Sequence, residues 1–185
     1  MVTGVDISSA MLDRLHAADH QQTITTVAGD MVDDMPSGPF DVVLIGFNTL
    51  FNLETQQRQQ ACLNACSQAL TPDGIVVIEG LTPPQQPDGG MVDDISIRSM
   101  TATHVVLSIS RHHGADQLLE GQFIEFSKEQ GVRLRPWSIR YATIDQLDAM
   151  ATAAGLQVTA RFNDASRSAF DPANGRHLTV YSRSR

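Results

Sequence analysis

The chain opens on a short strand that ends at an acidic residue, and this opening constrains the fold more than any other feature. The β-branched residues of 2–5 favour a strand, Asp6 lies where that strand would stop, and Ser8 is placed to cap a following helix. Open α/β folds bind ligands at the carboxyl ends of parallel strands, and an acidic residue after the second strand contacts a ribose. The opening therefore predicts a nucleotide-binding α/β fold with Asp6 at its site.

The first half of the chain alternates strands with helices. Continuous apolar runs are typical of strands that are buried on both faces of a parallel sheet. The patterns predict strands at 23–27, 40–45 and 75–78, a helix at 54–70, and a turn at 71–74. This alternation favours a parallel sheet with helical crossovers.

The second half changes to short strands separated by turns. Strands are predicted at 95–100, 105–110, 118–126 and 132–141, followed by a helix and by two final strands at 156–162 and 177–181. Thr143 and Gln146 have the spacing of a capping box, and Gly155 ends this last helix. We expect a cofactor-binding part at 1–82, an antiparallel β insertion at 83–141, and a last helix with a closing hairpin at 142–185.

Composition excludes several functions. With 21 acidic and 13 basic residues the net charge is -8, which argues against binding to nucleic acid. No apolar run is long enough to span a membrane, and no secretory signal is found, so we expect a cytoplasmic protein. Cys62 and Cys66 fit one apolar helix face better than a redox or metal pair, and we expect no metal. His104 and His177 are expected at the surface, and Trp137 is expected to pack on the sheet.

Three turns should meet at the carboxyl edge of the parallel sheet. They are Asp6, the turn Gly29-Asp30-Met31, and the loop at 46–49. The Asp6 carboxylate can accept both ribose hydroxyls. The Asp30 carboxylate can accept an adenine amine while the backbone amide of Met31 donates to the ring. The third loop would then lie near the reacting group. An aspartate after a strand is also a common turn former, so each carboxylate has a purely structural alternative.

Five segments, taken in their order along the chain, resemble the class I S-adenosylmethionine-dependent methyltransferases of small molecules. They are 2–12, 29–31, 40–49, 70–74 and 140–156. The resemblance covers nearly the whole chain. It implies a Rossmann-like parallel sheet with crossover helices, a closing antiparallel hairpin and an inserted antiparallel β region. It also implies S-adenosylmethionine as the cofactor and a small metabolite as the methyl acceptor. The residues that it implies for cofactor binding are Asp6, Ile7, Met11, Asp30, Met31 and Phe47, although Met11 also fits a plain apolar helix face.

The resemblance also assigns a role to the β insertion. In some sugar-amine methyltransferases such an insertion covers the substrate and forms a dimer, which makes a homodimer an expectation here. The residues implied for the substrate face are Asn48, His112, Arg140 and Tyr141. Methyl transfer from a sulfonium depends mainly on alignment, so no catalytic residue is assigned, and His112 is only a candidate base.

One part of the family pattern, which is expected before Asp6, is missing from the given sequence. The first strand and its glycine-rich loop are absent from the given sequence, and that strand would lie between the strands ending at Asp6 and at Ile45. Neighbouring strands are about 4.8 Å apart, so its absence predicts a gap of roughly 10 Å between two free edges. An upstream segment, a strand donated by a second chain, or a degenerate remnant would each account for this. The first is favoured; it predicts a strand and a glycine-rich loop encoded in frame upstream, and a stop codon just before Met1 would contradict it.

Two other functional classes stay open. Nicotinamide-dependent oxidoreductases share the acidic residue after the second strand, but they account less well for Gly29-Asp30-Met31 and for the closing hairpin. A methyltransferase-like module that serves only in binding or dimerisation is the other alternative. Binding of S-adenosylhomocysteine, of NAD, or of neither would separate the three.

Overall fold

The computed structural model describes residues 1–83 and 91–184. Within them, ten strands and three α-helices follow one another along the chain. In order, these are β1 (Val2–Asp6), α1 (Ser9–Ala18), β2 (Ile24–Ala28), β3 (Phe40–Ile45), α2 (Gln56–Ala69), β4 (Leu70–Leu81), β5 (Met91–Met100), β6 (His104–His113), β7 (Leu118–Ser127), β8 (Gly131–Arg140), α3 (Ile144–Ala153), β9 (Leu156–Phe162) and β10 (Arg176–Arg183).

Six of the ten described strands form two sheets. Strand β1 pairs with β2 in parallel, and a second sheet has the order β3-β4-β10-β9. In that second sheet β3 and β4 are parallel, while β10 is antiparallel to both of its neighbours. Helix α2 connects β3 to β4, and α3 precedes the hairpin formed by β9 and β10. This confirms the predicted Rossmann-like fold with a closing antiparallel hairpin.

The expected gap lies between these two sheets. Strand β1 has β2 as its partner and β3 has β4, and no described strand joins β1 to β3. A cleft of about 280 Å³ separates them and is lined by residues of both strands and of α2. On β3, Val42 and Leu44 are 55% and 67% exposed, although both stand in an apolar run typical of a buried strand. We call this space the inter-sheet cleft.

The hydrophobic core lies between the second sheet and helices α2 and α3. Its fully buried side chains include Phe51, Leu63, Val76, Leu147 and Tyr181. Cys62 and Cys66 belong to the same cluster on the buried face of α2. Removing such a large side chain, as in Leu147→Ala, costs about 2–5 kcal/mol in a typical core.

Local sequence signals account for the helix ends. The Ser8 hydroxyl accepts the Met11 N–H at the start of α1, and the predicted capping box of Thr143 and Gln146 is present at the start of α3. Gly155 follows α3 in the left-handed region with a φ of 74°, as expected for a helix stop.

The turn predicted at 71–74 is wrong, because these residues belong to β4. Leu70 pairs with Phe40 and Ile75 with Val42, so an irregularity in the register absorbs the extra residues against β3. Strands β3 and β4 approach each other closely at Gly74, where a Cβ atom would lie 2.8 Å from the Phe40 carbonyl oxygen. Residues 71–74 therefore bulge from the pairing opposite the single residue Asp41, within the bounds of β4.

The insertion forms a separate four-stranded antiparallel sheet in the order β5-β6-β7-β8. It confirms the predicted antiparallel pairing and extends the first three predicted strands, whereas the fourth, predicted at 132–141, lies one residue earlier at Gly131–Arg140. Trp137 packs on this sheet as expected, since a Cβ atom at Gly121 would lie 2.7 Å from its ring. The Gln59 side-chain amide ties the end of the sheet to α2 by donating to the Arg140 carbonyl oxygen at 2.7 Å. In the part of the chain that the structure describes, none of the helices is both long and apolar enough to cross a membrane.

The surface position expected for His177 is wrong. His177 is 1% exposed, because β10 is an inner strand whose alternate residues face the core. Its Nδ1 lies 2.9 Å from the Thr179 hydroxyl. Burial, together with the charge of Arg161, lowers the pKa of His177 to about 4, so the ring is neutral at pH 7.

Candidate functional site

A second cleft, which we call the carboxyl-end cleft, lies where β1 and β2 end. Its volume is about 300 Å³, and it also borders the short 3₁₀ helix Thr49–Asn52. Four predicted cofactor residues line it together: Asp6, Ile7, Asp30 and Met31. It shares Val5, Asp6, Met31 and Thr49 with the inter-sheet cleft, so the two spaces adjoin. The expectation that the carboxyl ends of parallel strands meet at one edge therefore brings these residues together correctly.

Asp6 has one carboxylate oxygen to spare. Its Oδ1 accepts the Ser8 N–H at 2.8 Å, and its carbonyl oxygen accepts the Gly29 N–H at 3.1 Å. The first bond holds the side chain and the second holds the backbone of Asp6 at the junction of β1, α1 and the Gly29 turn. Within the described residues, Oδ2 has no hydrogen-bond partner in the protein. The half-buried carboxylate can therefore accept hydroxyl donors from a ligand in the cleft.

Asp30 is held in its turn from several sides. Its Oδ1 accepts the Val32 N–H at 2.7 Å and the Arg58 guanidinium at 2.7 Å. The bond from Val32 is the main cause of a lowered pKa, and the Asp33 N–H and Arg58 lower it further. Asp30 is therefore ionised at neutral pH. Its Oδ1 is used by the protein, while Oδ2 has no hydrogen-bond partner among the described residues and can accept from a ligand.

Arg58 is a site residue that the sequence did not reveal. It lies on α2, far along the chain from the Asp30 turn, and also contacts Asp33 at 2.9 Å. Both ion pairs are partly exposed, so each adds little to the stability of the fold. The ion pairs with Arg58 orient the Asp30 carboxylate. No local sequence pattern around Arg58 indicates this contact.

The loop after β3 has an unusual backbone. Phe47 and Asn48 are consecutive non-glycine residues in the left-handed region, with φ values of 51° and 62°. Such residues cost about 1–3 kcal/mol each and are common at functional sites. The Phe47 side chain is 88% exposed, and the Asn48 side chain accepts the Leu81 N–H at 2.6 Å. Neither residue lines the two clefts, although Gly46 and Thr49 on either side do. Met11 also lies outside both clefts, on the exposed face of α1.

Two of the candidate substrate residues form a buried pair. His112 Nε2 lies 2.8 Å from the Tyr141 hydroxyl, and both side chains are buried. Desolvation lowers the pKa of His112 and raises the pKa of Tyr141, so both are neutral at pH 7. The Arg140 side chain instead donates to the Gln117 side chain at 3.2 Å. None of the three lines either cleft, so the structure brings His112 and Tyr141 to each other but not to the cofactor residues.

The lining of the two clefts carries only acidic charge among the described residues. Asp6 and Asp30 are its charged members. Over the same described ranges, no group of three or more His, Cys, Asp or Glu side chains is arranged to hold a metal ion. An acidic cleft suits a cationic or hydroxyl-bearing ligand better than a phosphate-bearing one.

Comparisons with known proteins agree with this geometry. A family model described as a methyltransferase domain matches residues 1–78. The CcbJ methyltransferase from Streptomyces caelestis is 31% identical, with a TM-score of 0.89, over 100% of this chain and 75% of that one. DesVI from Streptomyces venezuelae is 25% identical over 98% of this chain and 74% of that one, with a TM-score of 0.69. A search of curated proteins found no significant match.

A further neighbour shows the same fold at lower identity. The amino pentose methyltransferase CalS10 from Micromonospora echinaspora, solved with S-adenosylmethionine bound, is 23% identical with a TM-score of 0.72. The match covers 99% of this chain and 74% of that one. With the family model and the match to CcbJ over the whole chain, these findings lead to one assignment: the chain belongs to the S-adenosylmethionine-dependent methyltransferases.

Proposed function

We propose that this chain binds S-adenosylmethionine in the carboxyl-end cleft and transfers its methyl group to an amine of a small, sugar-like metabolite. The observation that carries the proposal is the meeting of Asp6, Asp30 and Met31 in one cleft of a methyltransferase-family chain. Their chemistry fits an adenosine. Asp6 offers a free carboxylate oxygen for ribose hydroxyls, and Asp30 offers one for an exocyclic amine.

The residues of the cleft act by holding and orienting. When bound, the cofactor supplies a methyl group that is already activated by a sulfonium. Asp6 would hold the ribose at the ends of β1 and β2, and the Asp30 turn would hold the adenine edge. The Thr49–Asn52 helix closes the cleft on the side of β3. Alignment of this kind can account for most of the acceleration of an in-line transfer.

Solved structures with the same fold support an amine as the acceptor. Among proteins with the same fold, KedS8 from Streptoalloteichus is a sugar N-methyltransferase at 21% identity, and CalS10 is an amino pentose methyltransferase.

The acceptor class is tested with labelled cofactor. We expect the label to appear in products of a panel of amino sugars and to be absent from the matched panel in which a hydroxyl replaces each amine. Mass spectrometry of the products locates the added methyl on nitrogen. Methylation of the hydroxyl panel alone would contradict the assignment of an amine.

One observation favours the alternative of a non-catalytic binding module. The facing edges of β1 and β3 are unpaired within the described structure, and the inter-sheet cleft opens between them. A free edge presents unpaired backbone N–H and C=O groups, which would then lie beside the cofactor site. A chain that binds neither S-adenosylhomocysteine nor S-adenosylmethionine would support this alternative.

We further propose that the β insertion forms a homodimer through one face of its sheet. Three consecutive cross-strand rows on this face are almost wholly apolar: Ile95, Ile109, Gln122 and Pro136; Ile97, Leu107, Ile124 and Leu134; and Met100, Val105, Phe126 and Val132. From the strand spacing the rows cover about 400 Å². Apolar patches of this size on a protein surface commonly mark protein contacts. A second copy offers the same face, which satisfies the self-complementarity of a two-fold interface.

A pair of neighbouring variants tests the dimer. Ile97 is 63% exposed and lies on the apolar face, whereas Ser96 is exposed on the opposite face of the same strand. Ile97→Glu should shift the protein to a monomer in analytical ultracentrifugation, because a charge on each copy would meet an apolar surface. Ser96→Glu should leave the dimer intact. A wild-type monomer at micromolar concentration would exclude the proposed interface.

A further inference from the structure

We infer that Glu79 is a positioning residue that holds the strained loop after β3 and, through it, one wall of the cofactor site. Glu79 is the residue directly after Ile78, which pairs with the last residue of β3. It therefore lies in β4 one residue beyond the level at which β3 ends, beside the loop that contains Phe47 and Asn48. The inference rests on the proposed cofactor site and names a residue that controls it.

Glu79 contacts the loop through both its side chain and its backbone. The Phe47 N–H donates to Glu79 Oε2 at 3.1 Å, and the Asn48 N–H donates to the Glu79 carbonyl oxygen at 3.1 Å. Phe47 and Asn48 are the two consecutive residues in the left-handed region. The carboxylate thus satisfies a backbone donor at the position where the conformation is least favourable for a residue with a side chain.

The held loop leads directly into the wall of both clefts. The Phe51 N–H donates to the Asn48 carbonyl oxygen at 2.8 Å, and the Thr49 N–H donates to Gly46 at 3.0 Å. These bonds start the Thr49–Asn52 helix. Thr49 lines both clefts, and Asn52 and Leu53 line the carboxyl-end cleft. Releasing the Phe47 turn would therefore let the start of this helix move, and the cleft would lose its fixed wall.

Two substitutions separate the hydrogen bond from the charge. Glu79→Ala removes the acceptor of the Phe47 N–H. Glu79→Gln keeps an acceptor oxygen of the same reach but carries no charge. The matched control is Glu54→Ala, since Glu54 is exposed shortly after the same helix and makes no hydrogen bond among the described residues.

Amide hydrogen exchange of the ligand-free chain gives the first readout. In Glu79→Ala we expect the Phe47 amide to exchange about 10-fold faster or more, while core amides of β10 keep their protection, because one local hydrogen bond is lost. Glu79→Gln and Glu54→Ala should match the wild type. Equal protection of Phe47 in Glu79→Ala, or a uniform loss of protection over the whole core, would overturn the inference.

The affinity for S-adenosylhomocysteine gives the second readout. It should fall about 10-fold in Glu79→Ala and return close to the wild-type value in Glu79→Gln. An affinity unchanged in Glu79→Ala but lowered in Asp6→Ala would overturn the positioning role and leave the cofactor site standing. If the wild type does not bind S-adenosylhomocysteine, the proposed function fails, and the exchange measurement still decides whether Glu79 holds the loop.

Discussion

Replacing Asp6 by alanine is expected to weaken the binding of S-adenosylhomocysteine about 100-fold. Hydrogen bonds to a charged acceptor contribute about 1.5–3 kcal/mol each, and a ribose offers two hydroxyl donors to one carboxylate. A loss of about 3 kcal/mol corresponds to a factor of about 100 in the dissociation constant. Titration calorimetry at pH 7 measures the effect directly.

Two further variants make this prediction specific to the carboxylate. Asp6→Asn keeps an oxygen for the Ser8 N–H, so the start of α1 should be preserved while the affinity falls by a smaller factor of about 10. Asp13→Ala, on the exposed side of α1, should leave the affinity unchanged. Equal affinities for the wild type and Asp6→Ala would remove Asp6 from the site.

Lowering the pH from 7 to 4 is expected to cost the wild type about 3 kcal/mol of unfolding free energy through His177 alone. Folding lowers the pKa of this residue from 6.5 to about 4, mainly because the ring is buried. Arg161 also lowers it, whereas Asp148, which is ion-paired with Arg161, raises it. Between these two pKa values the unfolded chain binds a proton that the folded chain excludes. Stability is therefore complete above about pH 6.5 and declines as the pH falls towards 4.

Urea unfolding of matched histidine variants isolates this contribution. In His177→Gln the difference in stability between pH 7 and pH 4 should be about 3 kcal/mol smaller than in the wild type. His20→Gln removes an exposed histidine and should retain the wild-type difference. If both variants show the same pH dependence as the wild type, His177 is not the neutral buried group that the fold indicates.

The grouping of Asp6 with the Gly29-Asp30-Met31 turn in one cleft could be predicted because a topological rule covers strand ends. The carboxyl ends of parallel strands meet at one edge, so Asp6 and the Gly29-Asp30-Met31 turn come together whatever the details of packing. Gly29 also follows from close packing, since a Cβ atom there would lie 2.5 Å from the Asp34 side chain. The same rule did not extend to Phe47 and Asn48, whose left-handed turn is hydrogen-bonded to Glu79 of the next strand.

Local sequence patterns could not predict the residues that act through contacts with distant parts of the chain. Arg58 reaches Asp30 from a helix, and His177 becomes buried only because β10 inserts between β4 and β9. A signal for Glu79 did exist in the sequence. It is a charged residue directly after the apolar run 75–78, in the same kind of position as Asp6 after its strand.

In the insertion, the alternation of polar and apolar residues predicts the strands but not the burial of individual side chains. Its turns and apolar residues were sufficient to predict four antiparallel strands, because a period of two residues defines each face. Burial was not predictable at the end near the core, where His112 and Tyr141 form a closed pair. Their positions depend on how the inserted sheet docks against the Thr49–Asn52 helix and α2, and strand patterns contain no information on that docking.

The most direct test of the account is a calorimetric titration of the chain with S-adenosylhomocysteine and, separately, with NAD. The account predicts one S-adenosylhomocysteine per chain, an affinity reduced about 100-fold in Asp6→Ala, and no heat of binding with NAD. Binding of NAD without S-adenosylhomocysteine, or S-adenosylhomocysteine binding that is indifferent to both Asp6 and Asp30, would contradict it.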